Sequence, residues 1–380
     1  MLNTAIALDL GSSLTRIGFA GEDSPSHVIP SLVGLPRQHQ SAMHDLNSRC
    51  RYIGQEALQK GVCKIIHPIQ HGIIHNHDHI ESIIDYSLSQ LFTKEHERYS
   101  YYEHPIIVSC HPHDPNQQKE LLTQILFEVF NFPQIFITSS GFLTLTSHGK
   151  LSSVVLECGD GVTSVMPFVN GYCVMNAVSR VNFAGSNLTE YLKLLLKLRG
   201  FYFETSNELE TIVKDVKEKL CYVALDFNED SIHHVKPQNL KNPMNCQMAN
   251  IDLKFERFQC MEALFQPTEL IGKETQGIHE LLYNSILKCD LGIRKELFSN
   301  IVVSGGSTMS AGFVARLSKE MNSLLTNSSQ VRSSIVAPQS RMNSVWKGAS
   351  ILGSLEMMND LYLFREEYWK WDQVWCCESV

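Results

Sequence analysis

Two short glycine- and serine-rich stretches, DLGSSLTR at residues 9–16 and ECGDGVTS at residues 157–164, carry the residue types in this sequence best suited to chemistry. Each ends an apolar run, TAIALDLG in the first case and SSVVLECG in the second. Tight turns of this kind expose successive backbone N–H groups, and such concavities bind phosphate oxygens. Each also has a carboxylate beside it: Asp9 in the first, Glu157 and Asp160 in the second. Carboxylates facing phosphates call for a cation between them, and a hard, largely water-coordinated ion such as Mg2+ would reconcile the charges. SGGST at 304–308, after the apolar run NIVVS, is a third turn of the same type. Any one of these turns reads more readily as a plain hairpin; the three together bring the phosphate reading level with it. GxxxxGK[ST] and GxGxxG are both absent, so neither a P-loop nor a dinucleotide fingerprint is present.

The elements that must position these turns follow from pattern. TAIALDLG and TRIGFAGE read as two strands around the first turn, and SSVVLECGDGVTSVMPF repeats that grammar about 150 residues later, which suggests two related lobes. Between them, Asp114 as N-cap and Pro115 at the first helical position open a helix. Its apolar face is expected from Leu121, Leu122, Ile125, Leu126, Val129 and Phe130. A second helix begins near Ser186 or Asn187, turns Leu188, Tyr191, Leu192 and Leu195 inward, and stops at Gly200. A third opens with Thr205 and Glu208 in capping-box spacing and buries Leu209, Ile212, Val213, Val216 and Leu220. Glu210 with Lys214, and Asp215 with Lys219, are i,i+4 pairs on its outer face. Strands and helices alternate, which places the chain in the α/β class. The Ser- and Asn-rich stretches at 38–48 and 326–334 read as surface loops.

Bulk properties narrow the function classes. The 380 residues suffice for two core-forming domains, and 43% hydrophobic with 19% charged residues is ordinary for a globular protein. A net charge of −8 gives no electrostatic support for nucleic-acid binding. The 11 cysteines are scattered with no Cys-x-x-Cys pair, which fits free thiols in a reducing compartment, with Cys376 and Cys377 exposed at the tail. The N-terminal run lacks a basic segment and is interrupted by Asp9, and no apolar stretch approaches about 20 residues. The expectation is therefore a cytoplasmic protein, with the nucleus as the alternative and no membrane insertion.

The sequence resembles actin over nearly its whole length. The resemblance is carried, in order, by GSSLTRIGFAGEDSP, HPIQHGII, LTQILFEVFNFP, LECGDGVTSVMPF, FAGSNLTEYL, VKDVKEKLCYVALDF, ALFQPTELIG, GIHELLYNSILKCD, NIVVSGGSTM and SVWKGASILGSL. It implies a two-lobed α/β fold of the ribonuclease H-like type shared with the Hsp70 ATPase, with four subdomains around a nucleotide cleft. The outer lobe would comprise 1–146 plus 343–380, with a small subdomain at about 31–67. The inner lobe would comprise 147–342, with a small subdomain at about 184–272. By position, Gly11, Ser12, Ser13 and Leu14 would form the first phosphate loop, with Arg16 in place of the family's lysine. Gly159, Asp160, Gly161 and Val162 would form the second loop. Gly185, Lys214, Lys217 and Glu218 would surround ribose and adenine, and Gly305, Gly306, Ser307 and Met309 would lie under the nucleotide. The implied cofactors are ATP or ADP and Mg2+, the ion held through water by Asp9, Glu157 and Asp160.

Departures from the family gather at the chemistry. Ser140 and Ser164 occupy the positions of the family's water-orienting glutamine and histidine, and Glu157 stands for an aspartate. Loss of one such positioned group commonly costs about 100-fold in rate, so no catalytic residue is assigned and at most a slow ATPase is expected. Met342 replaces a lysine and Ser310 a tyrosine at the base, which weakens affinity. The segment 228–254, a loop by family likeness, lacks the family's hairpin, and the tail carries Trp369, Trp371 and Trp375, read equally as partner-seeking or locally packed. His71, His75, His77 and His79 could ligate a metal, but they fall in a segment that matches the family, and that reading is set aside. The expected function is a structural actin-like subunit of the cytoskeleton or a larger complex, partnered by like subunits or other cytoskeletal proteins. A conventional polymerising, ATP-hydrolysing actin and a phosphotransferase of the wider superfamily are the alternatives.

Overall fold

The computed structural model describes residues 3–36, 51–59, 63–93, 100–111, 116–201, 206–233, 253–325 and 332–370. The chain divides into two compact units, Met1–Leu151 with Asn343–Val380, and Ser152–Met342.

The first unit is built on a six-stranded mixed sheet. Ile6–Leu10 and Leu14–Phe19 form an antiparallel hairpin around the first glycine turn, and His27–Pro30 continues it on one side. On the other side Ile6–Leu10 pairs in parallel with Ile106–Cys110, which pairs in parallel with Gln134–Ser139, and Leu363–Phe364 closes that edge. Ile6, Leu8, Ile17, Ile106 and Val108 on one face and Ala7 and Ile107 on the other are wholly buried, as strands covered on both faces must be. On one face the Ser344–Gly353 helix buries Trp346 completely, its indole N–H donating to the Ala7 carbonyl at 3.0 Å. That helix crosses Ser140–Ser147 at backbone distance: a Cβ on Gly348 would lie 1.8 Å from the Leu143 carbonyl oxygen, so only glycine fits. A separate three-stranded sheet of Val33–Pro36, Tyr52–Ile53 and Cys63–Ile66 accompanies the short Gln55–Gln59 helix.

The second unit repeats the plan. Ser153–Cys158 and Thr163–Val169 form the hairpin, extended by Tyr172–Cys173 and Ser179–Val181. Ser153–Cys158 pairs in parallel with Ile301–Ser304, which pairs in parallel with Ile335–Val336. Its core gathers Val154, Leu156, Val165, Leu188, Leu192, Val213, Leu282, Phe313 and Leu317 from strands and helices alike. The repeated grammar of the two hairpins is thus a repeated topology, antiparallel then parallel around the first strand of each unit.

Helices agree with the periodicity in most places. Gly185–Leu198 buries Leu188, Tyr191, Leu192 and Leu195, and Gly200 follows it at φ +86°. Ser206–Leu220 buries Val213 and Val216 and half-buries Ile212 and Leu220, and Lys219 reaches Asp215 at 2.7 Å on its exposed side. Two differences have physical causes. Asn116–Gln124 runs into a wider π turn, Ile125–Val129, in which the Phe130 N–H reaches back five residues to Ile125. The extra residue per turn shifts the phase, so Phe127 is wholly buried whereas Val129, expected inward, is half exposed. Leu121 is only half buried. The supposed loop after Asn228 begins as a helix, Phe227–His233, because the Asp226 carboxylate accepts the Asn228 and Glu229 N–H groups and caps it. Asp114, Pro115, Thr205, the remainder of that loop at 234–252, most of the stretches 38–48 and 326–334, and Trp371 and Trp375 lie outside the described residues. The Glu208, Leu209 and Glu210 side chains lie outside them as well.

Candidate functional site

In both units the glycine turns sit at the carboxyl ends of the parallel strands, the edge at which open α/β sheets bind ligands. The reason is topological. A strand that pairs in parallel on one side and turns back on the other delivers its hairpin turn to the edge where its parallel neighbours end.

In the first unit the Gly11 N–H closes the turn on the Leu14 carbonyl at 3.1 Å. Ser12 accepts the Gly72 N–H on its hydroxyl at 3.0 Å, and the Ser13 carbonyl accepts the Ser31 N–H at 2.9 Å. Both tie the loop down at its flanks. Asp9 and Arg16 face each other across the hairpin as register partners, and both are buried. Arg16 Nη1 lies 3.2 Å from Asp9 Oδ2, while Arg16 Nε donates to Asn343 Oδ1 at 2.9 Å. The other carboxylate oxygen, Oδ1, accepts the Ser109 hydroxyl at 2.7 Å. Ser140 opens the Ser140–Ser147 helix at the end of the Gln134–Ser139 strand, on the same sheet edge, and Ser139 is its N-cap.

In the second unit three segments far apart in sequence meet at one corner. The Gly159 N–H closes its turn on the Val162 carbonyl at 3.0 Å. The Gly159 carbonyl in turn accepts the Gly185 N–H at 3.2 Å and the Ser307 hydroxyl at 2.6 Å. The Asp160 carbonyl accepts both the N–H and the hydroxyl of Ser186, at 2.8 and 2.9 Å. Lys217, buried, donates to the Gly185 carbonyl at 2.6 Å and to Thr189 Oγ1 at 2.8 Å. Gly305 enters its loop at φ +98° and ψ 152°, a region essentially reserved for glycine, and Arg341 braces the following turn through Thr308. Burial in this corner pushes the Cys158 thiol up to about 11, so it stays protonated and inert at neutral pH.

The structure therefore brings Gly159, Asp160, Gly185, Lys217, Gly305 and Ser307 together, and separately Asp9, Gly11, Ser12 and Arg16. Gly306 and Met309 belong to the same short 306–309 turn as Ser307, with Met309 part exposed. Glu218 is exposed on the helix that carries Lys217, and Lys214 is half buried there. Glu157 faces Ser164 across the second hairpin, in the register that Asp9 and Arg16 share in the first, and Ser164 is almost wholly buried. Ser109, Asn343, Thr189 and Arg341 support the site and were not singled out from sequence. Separations of 100 and 327 residues for the first two leave no local signal.

The donor sets differ in how well they suit a hydrated cation. Asp160 accepts no side-chain hydrogen bond among the described residues, and its carboxylate lies beside Gly185, which suits an outer-sphere role. Asp9 already has a protein donor on each oxygen, one of them cationic. Of the histidines, His77 and His79 lie in the first turn of the His77–Leu91 helix. His79 is held below its usual range by burial and by Arg51. Among the described residues no three His, Cys, Asp or Glu side chains gather to ligate a metal directly. A protein-family model described as Actin matches residues 2–371 of the 380, and the chain belongs to the actin family.

Proposed function

We propose that this actin-family chain binds ATP or ADP with Mg2+ and serves as a structural subunit of the cytoskeleton or of a larger complex, with hydrolysis slow or absent. The observation that carries the nucleotide reading is the corner of the second unit, where one carbonyl, that of Gly159, gathers Gly185 and Ser307 from two other segments. A helix start and two glycine turns converging in this way suit an anionic ligand. Slow hydrolysis rests on Ser140 and Ser164. A serine at the first position of a helix is too short for a glutamine's reach, and Ser164 is only 2% exposed within its strand, poorly placed to orient water. The assembly role rests on family membership. No described helix is long and apolar enough to cross a membrane.

Equilibrium dialysis with labelled ADP, followed by a phosphate-release assay on the ATP-loaded chain, tests this reading. Binding in the micromolar range with release at least about 100-fold slower than a conventional actin is expected. Absence of nucleotide binding at millimolar concentration would remove the nucleotide reading, and turnover matching a conventional actin would remove the structural one. Sedimentation with and without Mg-ATP, and identification of co-purifying proteins, test the assembly role.

A further inference from the structure

Asp9 is the carboxylate that would bring a divalent cation to the first glycine turn, yet its charge is already answered from within the chain. Arg16 lies directly across the hairpin from it and meets Oδ2 at 3.2 Å. The guanidinium is held in that pose by a second anchor, Nε to Asn343 Oδ1 at 2.9 Å. Ser109 occupies the remaining oxygen at 2.7 Å. The side chains of Arg16 and Asp9 are 9% and 13% exposed, so solvent screens the pair little. A guanidinium can hold a carboxylate and an amide at once because its donors form a rigid fork, which an ammonium lacks. Asp160, by contrast, stands half exposed without a side-chain donor among the described residues. Across the second hairpin, the position that matches Arg16 in register is Ser164, which carries no charge.

We propose that Arg16 serves Asp9 as a built-in counter-ion in place of a metal, leaving the carboxylates of the second hairpin as those at which a divalent cation is needed. The consequence is a reduced magnesium requirement for holding nucleotide, and in this respect the proposal rests on the nucleotide reading above. A carboxylate beside phosphates repels them unless a cation cancels it. With Arg16 in place, chelating the metal does not uncover Asp9.

The test measures ADP affinity in Mg2+ and in EDTA for the wild-type chain and for Arg16→Gln, Arg16→Lys and Asp160→Asn. The wild type is expected to lose less than about 10-fold in affinity on chelation. Arg16→Gln, which keeps hydrogen-bonding capacity but no charge, should widen that loss at least tenfold further, and Arg16→Lys should fall between. Asp160→Asn should lessen the residual dependence. Equal magnesium dependence in wild type and Arg16→Gln, or an undiminished dependence in Asp160→Asn, would overturn the proposal. A second readout needs no nucleotide: Mg2+ alone should raise the unfolding temperature of Arg16→Gln by more than that of the wild type. If no variant binds ADP, the nucleotide reading fails, and this thermal comparison still decides whether Arg16 takes the metal's place. A magnesium shift of equal size in both proteins would sink it.

Discussion

Replacing Arg316 with methionine is expected to remove about 3–5 kcal/mol from the stability of the second unit, and the loss should grow with pH. Arg316 and Glu262 form a two-pronged ion pair, with Nη2–Oε1 at 2.7 Å and Nη1–Oε2 at 2.9 Å. Their side chains are 6% and 0% exposed. The guanidinium also donates to the Ala224 carbonyl and to Glu320, and it lies over the Phe265 ring at 5.0 Å. Methionine would keep much of the apolar contact while leaving a carboxylate buried with its main cation gone. Removing one member of such a pair is costly because the other cannot be resolvated in place. Burial already raises the Glu262 carboxyl above its usual range, with the Arg316 hydrogen bond and charge opposing that rise.

The sign follows from linkage. A carboxyl whose folded pKa is raised favours the folded state when protonated, and that contribution is lost as pH rises through the folded pKa. Removing Arg316 removes the opposing influence and raises the Glu262 pKa further, so the variant should be least impaired in acid and most impaired in alkali. Urea unfolding at pH 5 and pH 8, followed by a probe in the second unit, reads both effects. A thermal shift on the order of 10 °C accompanies such a loss in a unit of this size. A loss under about 1 kcal/mol, flat across that range, would contradict the argument. Arg316→Lys, which keeps the charge and loses the fork, should recover part of the stability but not all.

Legibility in the sequence followed the range of the interaction responsible. The two hairpins could be read because an apolar run closed by glycine is a local pattern, and the Gly185–Leu198 helix because Leu188, Tyr191, Leu192 and Leu195 recur at helical spacing before Gly200. The π turn at Ile125–Val129 could not be read that way. Its one extra residue leaves composition unchanged and alters only phase, so the same periodic argument placed Val129 inward and passed over Phe127. The helix Phe227–His233 had a local signal, Asp226 two and three residues before the N–H groups it caps, but its segment was read as a loop from family likeness. At the site, the glycine turns and their carboxylates are local patterns legible in the sequence. The Asp9–Arg16 pairing was also within reach, since a turn at residues 11–14 sets 9 opposite 16. Ser109 and Asn343 were not, because they reach Asp9 and Arg16 only through sheet pairing and chain return, which no short window contains.

Gly305→Ala should be the more damaging of two similar changes in one loop, and the comparison isolates why. Gly305 leaves the Ile301–Ser304 strand with φ +98° and ψ 152°, where an alanine is strained by roughly 1–3 kcal/mol before any contact is considered. A Cβ there would also stand 2.3 Å from the Cys158 carbonyl oxygen, 2.6 Å from its carbon and 3.0 Å from its nitrogen. Those are backbone atoms of the central strand, whose neighbour Glu157 pairs in register with Ser304. They cannot retreat without parting the two strands, so overlap adds to strain and a total loss of about 3–5 kcal/mol is expected. Gly306 is next in sequence, has ordinary backbone angles, and its Cβ would meet nothing within 4 Å, so Gly306→Ala should stay within about 1 kcal/mol of wild type. The functional consequence separates them as well. If alanine pushes the loop off Cys158, the Ser307 hydroxyl loses the Gly159 carbonyl it holds at 2.6 Å, and the corner that gathers Gly159, Gly185 and Ser307 opens. Differential scanning calorimetry with and without ADP measures both effects at once. Gly305→Ala should unfold at lower temperature and lose the ADP-induced stabilisation, whereas Gly306→Ala should unfold near the wild-type temperature and keep most of that stabilisation. Equal behaviour of the two variants would mean that the approach of this loop to the Cys158 backbone does not hold the corner together.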